Sequence, residues 1–87
     1  MKIFLYTYET ENMPSTHKLF PTLDSAKAYL CKEIGEYIAS CFEIGDCEFA
    51  RDFINNASIT EERIDDTVYC FESGEEVYYI EELEVEG

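Results

Sequence analysis

The side chains able to do covalent or acid–base chemistry in this chain are one histidine, His17, four cysteines and twenty carboxylates. A nucleophile needs a base, and the base needs a group to orient it. His17 stands beside Lys18 with no serine elbow and no Cys–His arrangement around it. Two carboxylates about 5 to 9 Å apart would suit glycoside hydrolysis, but so many carboxylates in a short chain reach such separations without any catalytic design. The cysteines Cys31, Cys41, Cys47 and Cys70 lack the CxxC pairs of a zinc site. Cys41 and Cys70 lie among apolar residues and read as small core side chains. The acidic stretch DDTVYCFESGEE puts Val68, Tyr69, Cys70 and Phe71 where a calcium loop needs oxygens. The glycines Gly35, Gly45, Gly74 and Gly87 are isolated, so no phosphate loop is present. The expectation is a chain with no catalytic residue, no metal and no cofactor.

What the residue types do offer is charge. The formal net charge is −14, beyond the magnitude of roughly 2 to 8 that suffices for solubility of a small domain. Residues 1–42 hold five carboxylates against four lysines, a net of −1, whereas residues 43–87 hold fifteen against Arg51 and Arg63, a net of −13. Direct binding of DNA or RNA is excluded as a function class, because it relies on neutralising phosphates with Lys and Arg. A disordered acidic tail is excluded as well: 46% of the residues are hydrophobic and 15% aromatic, enough to bury a core.

The elements that must carry this charge follow from periodicity. Residues 2–9, KIFLYTYE, alternate Ile3, Leu5 and Thr7 against Phe4, Tyr6 and Tyr8, which predicts a strand with bulky groups on both sides and an interior place in a sheet. ETENMPS reads as a turn and THKLF as a short second strand paired with the first; His17 falls in the loop or at that strand's start. Leu23, Ala26, Leu30, Ile34, Tyr37, Ile38 and Cys41 recur at helical spacing and predict a helix over 23–42, capped by Thr22 or Asp24. Gly35 in its middle suggests a backbone passing close by. A second helix runs from about Asp46, its cap, to Ala57. ITEERIDD reads as either a helical turn or an irregular acidic loop. TVYCFES and EVYYIEELEV, joined by the SGEE turn, form a C-terminal hairpin. Of its second strand, Tyr78, Ile80, Glu82 and Glu84 read as the wetter face beyond Ile80, with carboxylates in a row. The sum is one α+β domain over residues 1–87, an antiparallel sheet with two central helices in the order β-β-α-α-β-β.

At 87 residues such a domain buries only about 60 to 65% of its extended-chain surface. MKIFLYTYETEN has no signal-peptide pattern, and no apolar run approaches the length of a membrane span. These features point to a cytoplasmic protein with reduced thiols. An edge strand such as EVYYI could pair with its copy, but its glutamates would be brought together, so a monomer or weak dimer is expected.

Size, acidity and the small α+β layout resemble the small acidic proteins of phages and mobile elements, including anti-CRISPR and anti-restriction inhibitors of the DNA-mimic type. The resemblance rests on those general features and on no sequence motif. It implies a non-enzymatic inhibitor that occupies the basic surface of a nucleic-acid-binding protein or nuclease complex. The residues expected to meet that partner are Glu61, Glu62, Asp65, Asp66, Glu72, Glu75, Glu76, Tyr78, Glu81, Glu82 and Glu84. The alternative is a small regulatory interaction domain whose partner binds no nucleic acid.

Overall fold

The computed structural model describes residues 1–11 and 13–86. Alternating, β-branched and aromatic segments form β1 (Lys2–Thr10), β2 (Met13–Phe20), β3 (Ser58–Thr60), β4 (Thr67–Ser73) and β5 (Glu76–Glu84), and the two stripes of helical period form α1 (Leu23–Glu43) and α2 (Cys47–Asn55). The strands make one antiparallel sheet in the order β2-β1-β5-β4-β3. The fold is α+β with two central helices, as the periodicity indicates, plus one extra strand.

Local chemistry sets the helix ends. Thr22 is extended and its hydroxyl accepts from the Ser25 N–H at 3.1 Å, which decides between the two candidate caps of α1. Asp46 accepts from the Phe49 N–H at 3.2 Å and starts α2. That helix ends at Asn55, short of Ala57, where Asn56 closes its last turn onto the Asp52 carbonyl. Gly74 turns the β4–β5 hairpin at φ +59°, a left-handed conformation that glycine adopts without steric cost. Among the described residues nothing lies within 4 Å of where a Gly35 Cβ would stand, so none of their backbone passes close to it.

Both helices pack on one side of the sheet. Ala26 and Leu30 of α1 and Phe53 of α2 meet Tyr6, Tyr69, Phe71, Tyr78 and Ile80 in a single buried cluster. The core is therefore aromatic on its sheet side. Phe53 and Phe71 lie 5.8 Å apart, and Phe71 meets Tyr78 edge-on at 5.9 Å and 75°, geometries that aromatic quadrupoles favour. Ser73, 4% exposed, is held there by donating its hydroxyl to the Phe53 carbonyl.

Two expectations about the hairpin are corrected. Tyr78, Ile80 and Glu82 lie on the helix-covered side, while Val77, Tyr79, Glu81 and Leu83 lie on the other, over which no helix passes among the described residues. Both sets contain aromatic and aliphatic residues, so alternation separates them without saying which one the helices cover. β5, the strand holding EVYYI, is the middle strand, bonded to β1 and β4 on its two sides, and has no free edge to offer a copy. The edges are β2 and β3. β2 begins at Met13, earlier than THKLF, and tolerates Pro14 because it lies at the margin of the sheet. His17 consequently sits within a strand rather than in the loop, and its Nδ1 lies 3.1 Å from the Thr7 hydroxyl.

Candidate partner-binding surface

The carboxylates predicted to meet a partner fall into three settings. The first is the loop between β3 and β4. SIT is too short to sustain a strand further, and the chain then runs through Glu61, Glu62, Asp65 and Asp66, all exposed. Ile64 bridges back to Thr67, with N–H to carbonyl distances of 2.9 and 3.0 Å, and Asp65 turns the loop at φ 54°. Arg63 organises this segment. Its Nε donates to the Asp65 carbonyl at 3.0 Å, its guanidinium lies 4.0 Å from Asp66, and a short charge-assisted hydrogen bond ties it to Glu82 on β5. Glu61 pairs with Lys27 of α1 at 3.8 Å.

The second setting is the β4–β5 turn. Glu75 is exposed and lies near Glu11 of the β1–β2 connection; the hydrogen bond the two carboxyls can share once one is protonated, and their repulsion when neither is, raise the Glu75 pKa above the ordinary glutamate value. Glu76, half-buried on the helix side, accepts a short hydrogen bond from the Tyr8 hydroxyl. Glu9 belongs to the same end of the sheet: it stands opposite Val77, and its carboxylate accepts from the Tyr79 hydroxyl at 2.9 Å. Sequence reasoning missed Glu9 and Glu11, because they lie far along the chain in a region of near-neutral charge. Only strand pairing brings them to this turn.

The third setting is the sheet itself. Glu72 and Glu81 lie on the bare side, Glu72 opposite Val77 and Ser58, Glu81 opposite Leu5 and Thr67. Glu82 lies on the opposite side, across from Phe4, where Arg63 and Lys2 hold its carboxyl below the ordinary glutamate value. Glu84 is exposed and accepts from the N-terminal ammonium at 3.2 Å. Glu82 and Glu84, the carboxylates expected in a row, share one face of β5, and Glu81 lies on the other, because neighbours on a strand point to opposite sides.

Tyr78 does not belong to the acidic surface. It is 3% exposed and stacks on Tyr8 with centroids 4.6 Å apart at 26°, beneath the helices. This corrects its assignment to the acidic contact surface; its neighbour Tyr79 is the tyrosine on the bare side. There it joins Ile3, Leu5, Val77 and Leu83, all half-buried, and Leu19, which is 59% exposed. Leu19, Leu5 and Glu81 form one cross-strand row, and His17, Thr7, Tyr79 and Cys70 form the next. The bare face is therefore an aliphatic and aromatic band flanked by Glu9, Glu72 and Glu81.

Among the described residues no cluster of His, Cys, Asp and Glu is arranged to hold a metal ion. No helix of the described chain is long and apolar enough to cross a membrane. No family model matches the chain, and neither the curated proteins nor the solved structures contain a significant match to it.

Proposed function

We propose that this chain is a non-enzymatic acidic inhibitor, of the anti-CRISPR or anti-restriction kind, that occupies the basic nucleic-acid-binding surface of an effector. The observation that supports the reading is uncompensated charge. Of the eleven carboxylates in residues 61–86, eight are exposed, and Arg63 is the one basic residue of that segment. A net −14 along a principal extent of 48 Å is one charge per about 3.4 Å, the spacing along one strand of a DNA duplex and half the density of the whole duplex. Such an array attracts the same groove that attracts phosphates and accelerates encounter with it. The bare sheet face adds the apolar contact that prolongs a complex once it has formed.

That face also favours a second reading, a regulatory interaction domain whose partner binds no nucleic acid. Leu5, Leu19, Tyr79 and Leu83 would then supply the contact and the carboxylates only a solvated rim.

Capture of host-cell proteins on the immobilised chain, with and without excess DNA and RNA, separates the two. The inhibitor reading expects a basic nucleic-acid-binding protein that nucleic acid displaces. A partner retained at the same level under excess nucleic acid overturns it in favour of the second reading.

A further inference from the structure

A cleft of about 210 Å³ opens between α1 and the β1–β5 pair, lined by Tyr6, Tyr8, Tyr37, Tyr78, Glu33 and Glu36. None of its α1 carboxylates belongs to the acidic C-terminal half. Its inner wall is unusual in its chemistry. Tyr6 and Tyr78 are 2% and 3% exposed, yet neither hydroxyl has a hydrogen-bond partner among the described residues, whereas Tyr8 donates to Glu76 and Tyr79 to Glu9. Among those residues no fully buried side-chain oxygen is left unpaired. The Tyr6 and Tyr78 hydroxyls therefore meet the cleft, where a ligand or water can satisfy them.

The groups around the cleft select the sign of the ligand. Burial holds the Tyr6, Tyr8 and Tyr78 hydroxyls far above the ordinary tyrosine pKa, so at neutral pH they are uncharged and present oxygen lone pairs and ring faces. Glu33 and Glu36 stand at the rim, half-buried and exposed respectively, against one cation, Lys32, 3.8 Å from Glu36, so the two carboxylates leave the rim net negative and unfavourable to anions. Aromatic faces and carboxylates together attract a cation. A volume below the roughly 300 Å³ of the smallest drug-sized pockets admits a head group or the end of one side chain rather than a whole cofactor.

We propose that this cleft binds an alkylammonium group, its three N–H donors reaching the Tyr6 and Tyr78 hydroxyl oxygens and the half-buried Glu33 carboxylate, with Glu36 adding negative charge at the rim, while its methylenes lie against Tyr8 and Tyr37. The group can come from a lysine side chain of a partner protein or from a free aliphatic amine. This ligand chemistry is independent of whether the acidic loop meets a nucleic-acid-binding partner.

The test follows the tyrosine ring carbons by NMR in the full chain. It is titrated with n-butylammonium, with an end-blocked tripeptide centred on lysine, and with the same peptide carrying Nε-acetyllysine. Saturable shifts of the Tyr6 and Tyr78 rings with n-butylammonium or the lysine peptide, absent with the acetylated peptide, are expected. Response to both ammonium probes assigns the site to amines in general, and response to the lysine peptide alone assigns it to a protein side chain. Binding should weaken about tenfold in the Glu33→Gln, Glu36→Gln double variant, which removes two partly exposed charge contacts. It should vanish in Ser40→Phe, a change at an exposed residue of the rim that leaves the core untouched. No saturable shift with either ammonium probe, or equal binding of the acetylated peptide, overturns the proposal.

Discussion

Truncating Tyr78 to alanine is expected to destabilise the whole domain. The ring is 3% exposed, stacked on Tyr8 at 4.6 Å and set edge-on to Phe71 at 5.9 Å. Removing a buried aromatic ring costs about 3 to 5 kcal/mol through lost transfer free energy and the cavity left behind, with the two ring pairs accounting for about 1 kcal/mol or more of that. A domain of this length has a total stability of roughly 4 to 13 kcal/mol, so Tyr78→Ala removes a large fraction of it. Tyr78→Phe keeps the ring and deletes a hydroxyl without a protein partner, and should change stability by less than about 1 kcal/mol. Urea unfolding followed by circular dichroism measures both. A Tyr78→Ala variant within about 0.5 kcal/mol of the parent, as for a surface substitution, refutes the placement of this ring in the core.

Stability should also pass through a maximum in mildly acidic solution. The folded pKa of Glu75 is raised, so the folded state binds the extra proton and stability grows as pH falls toward the ordinary glutamate range. Glu82 is depressed by Arg63 and Lys2, so its contribution is present above the unfolded glutamate pKa and is lost as pH falls through the folded one. The melting temperature should therefore rise from pH 7 to about 5 and fall below about 4; a steady fall from pH 7 downward contradicts this. Arg63→Ala should lower the urea midpoint of unfolding, because the guanidinium ties the β3–β4 loop to Glu82 of β5; a variant as stable as the parent refutes that role. Added salt should raise the melting temperature at neutral pH by screening repulsion among the carboxylates, and a salt-independent melting curve would show that the repulsion is negligible.

The parts of the fold legible in the sequence were those written in local chemistry. The stripe from Leu23 to Cys41 marked α1, and Asp46 with Phe49 three residues on marked the start of α2. Alternation in KIFLYTYE marked an interior strand, which is where β1 lies. β3 was not legible, since Ser58, Ile59 and Thr60 are too few to show a period and exist as a strand only because β4 pairs with them. The facing of β5 was undecided for a different reason: Tyr78 and Ile80 compete with Val77, Tyr79 and Leu83 for the same core, and only the helices' position resolves it. The acidic segment was visible in composition, whereas the convergence of Glu9 and Glu11 on the β4–β5 turn depends on pairing between chain ends.

The most direct test of the inhibitor proposal uses an effector captured as above and measures its affinity for its own nucleic acid in the presence of three chains. These are the parent, a variant with Glu61, Glu62, Asp65 and Asp66 changed to their amides, and a Leu19→Glu variant of the bare face. The parent should weaken nucleic-acid binding in proportion to its concentration, and the amide variant should require at least about fourfold more protein, since four exposed charges are lost at roughly 0.2 to 1 kcal/mol each. The Leu19→Glu chain should form a shorter-lived complex. Unchanged nucleic-acid affinity at saturating parent protein, or equal potency of the amide variant, contradicts charge-based occupation of the effector's basic surface.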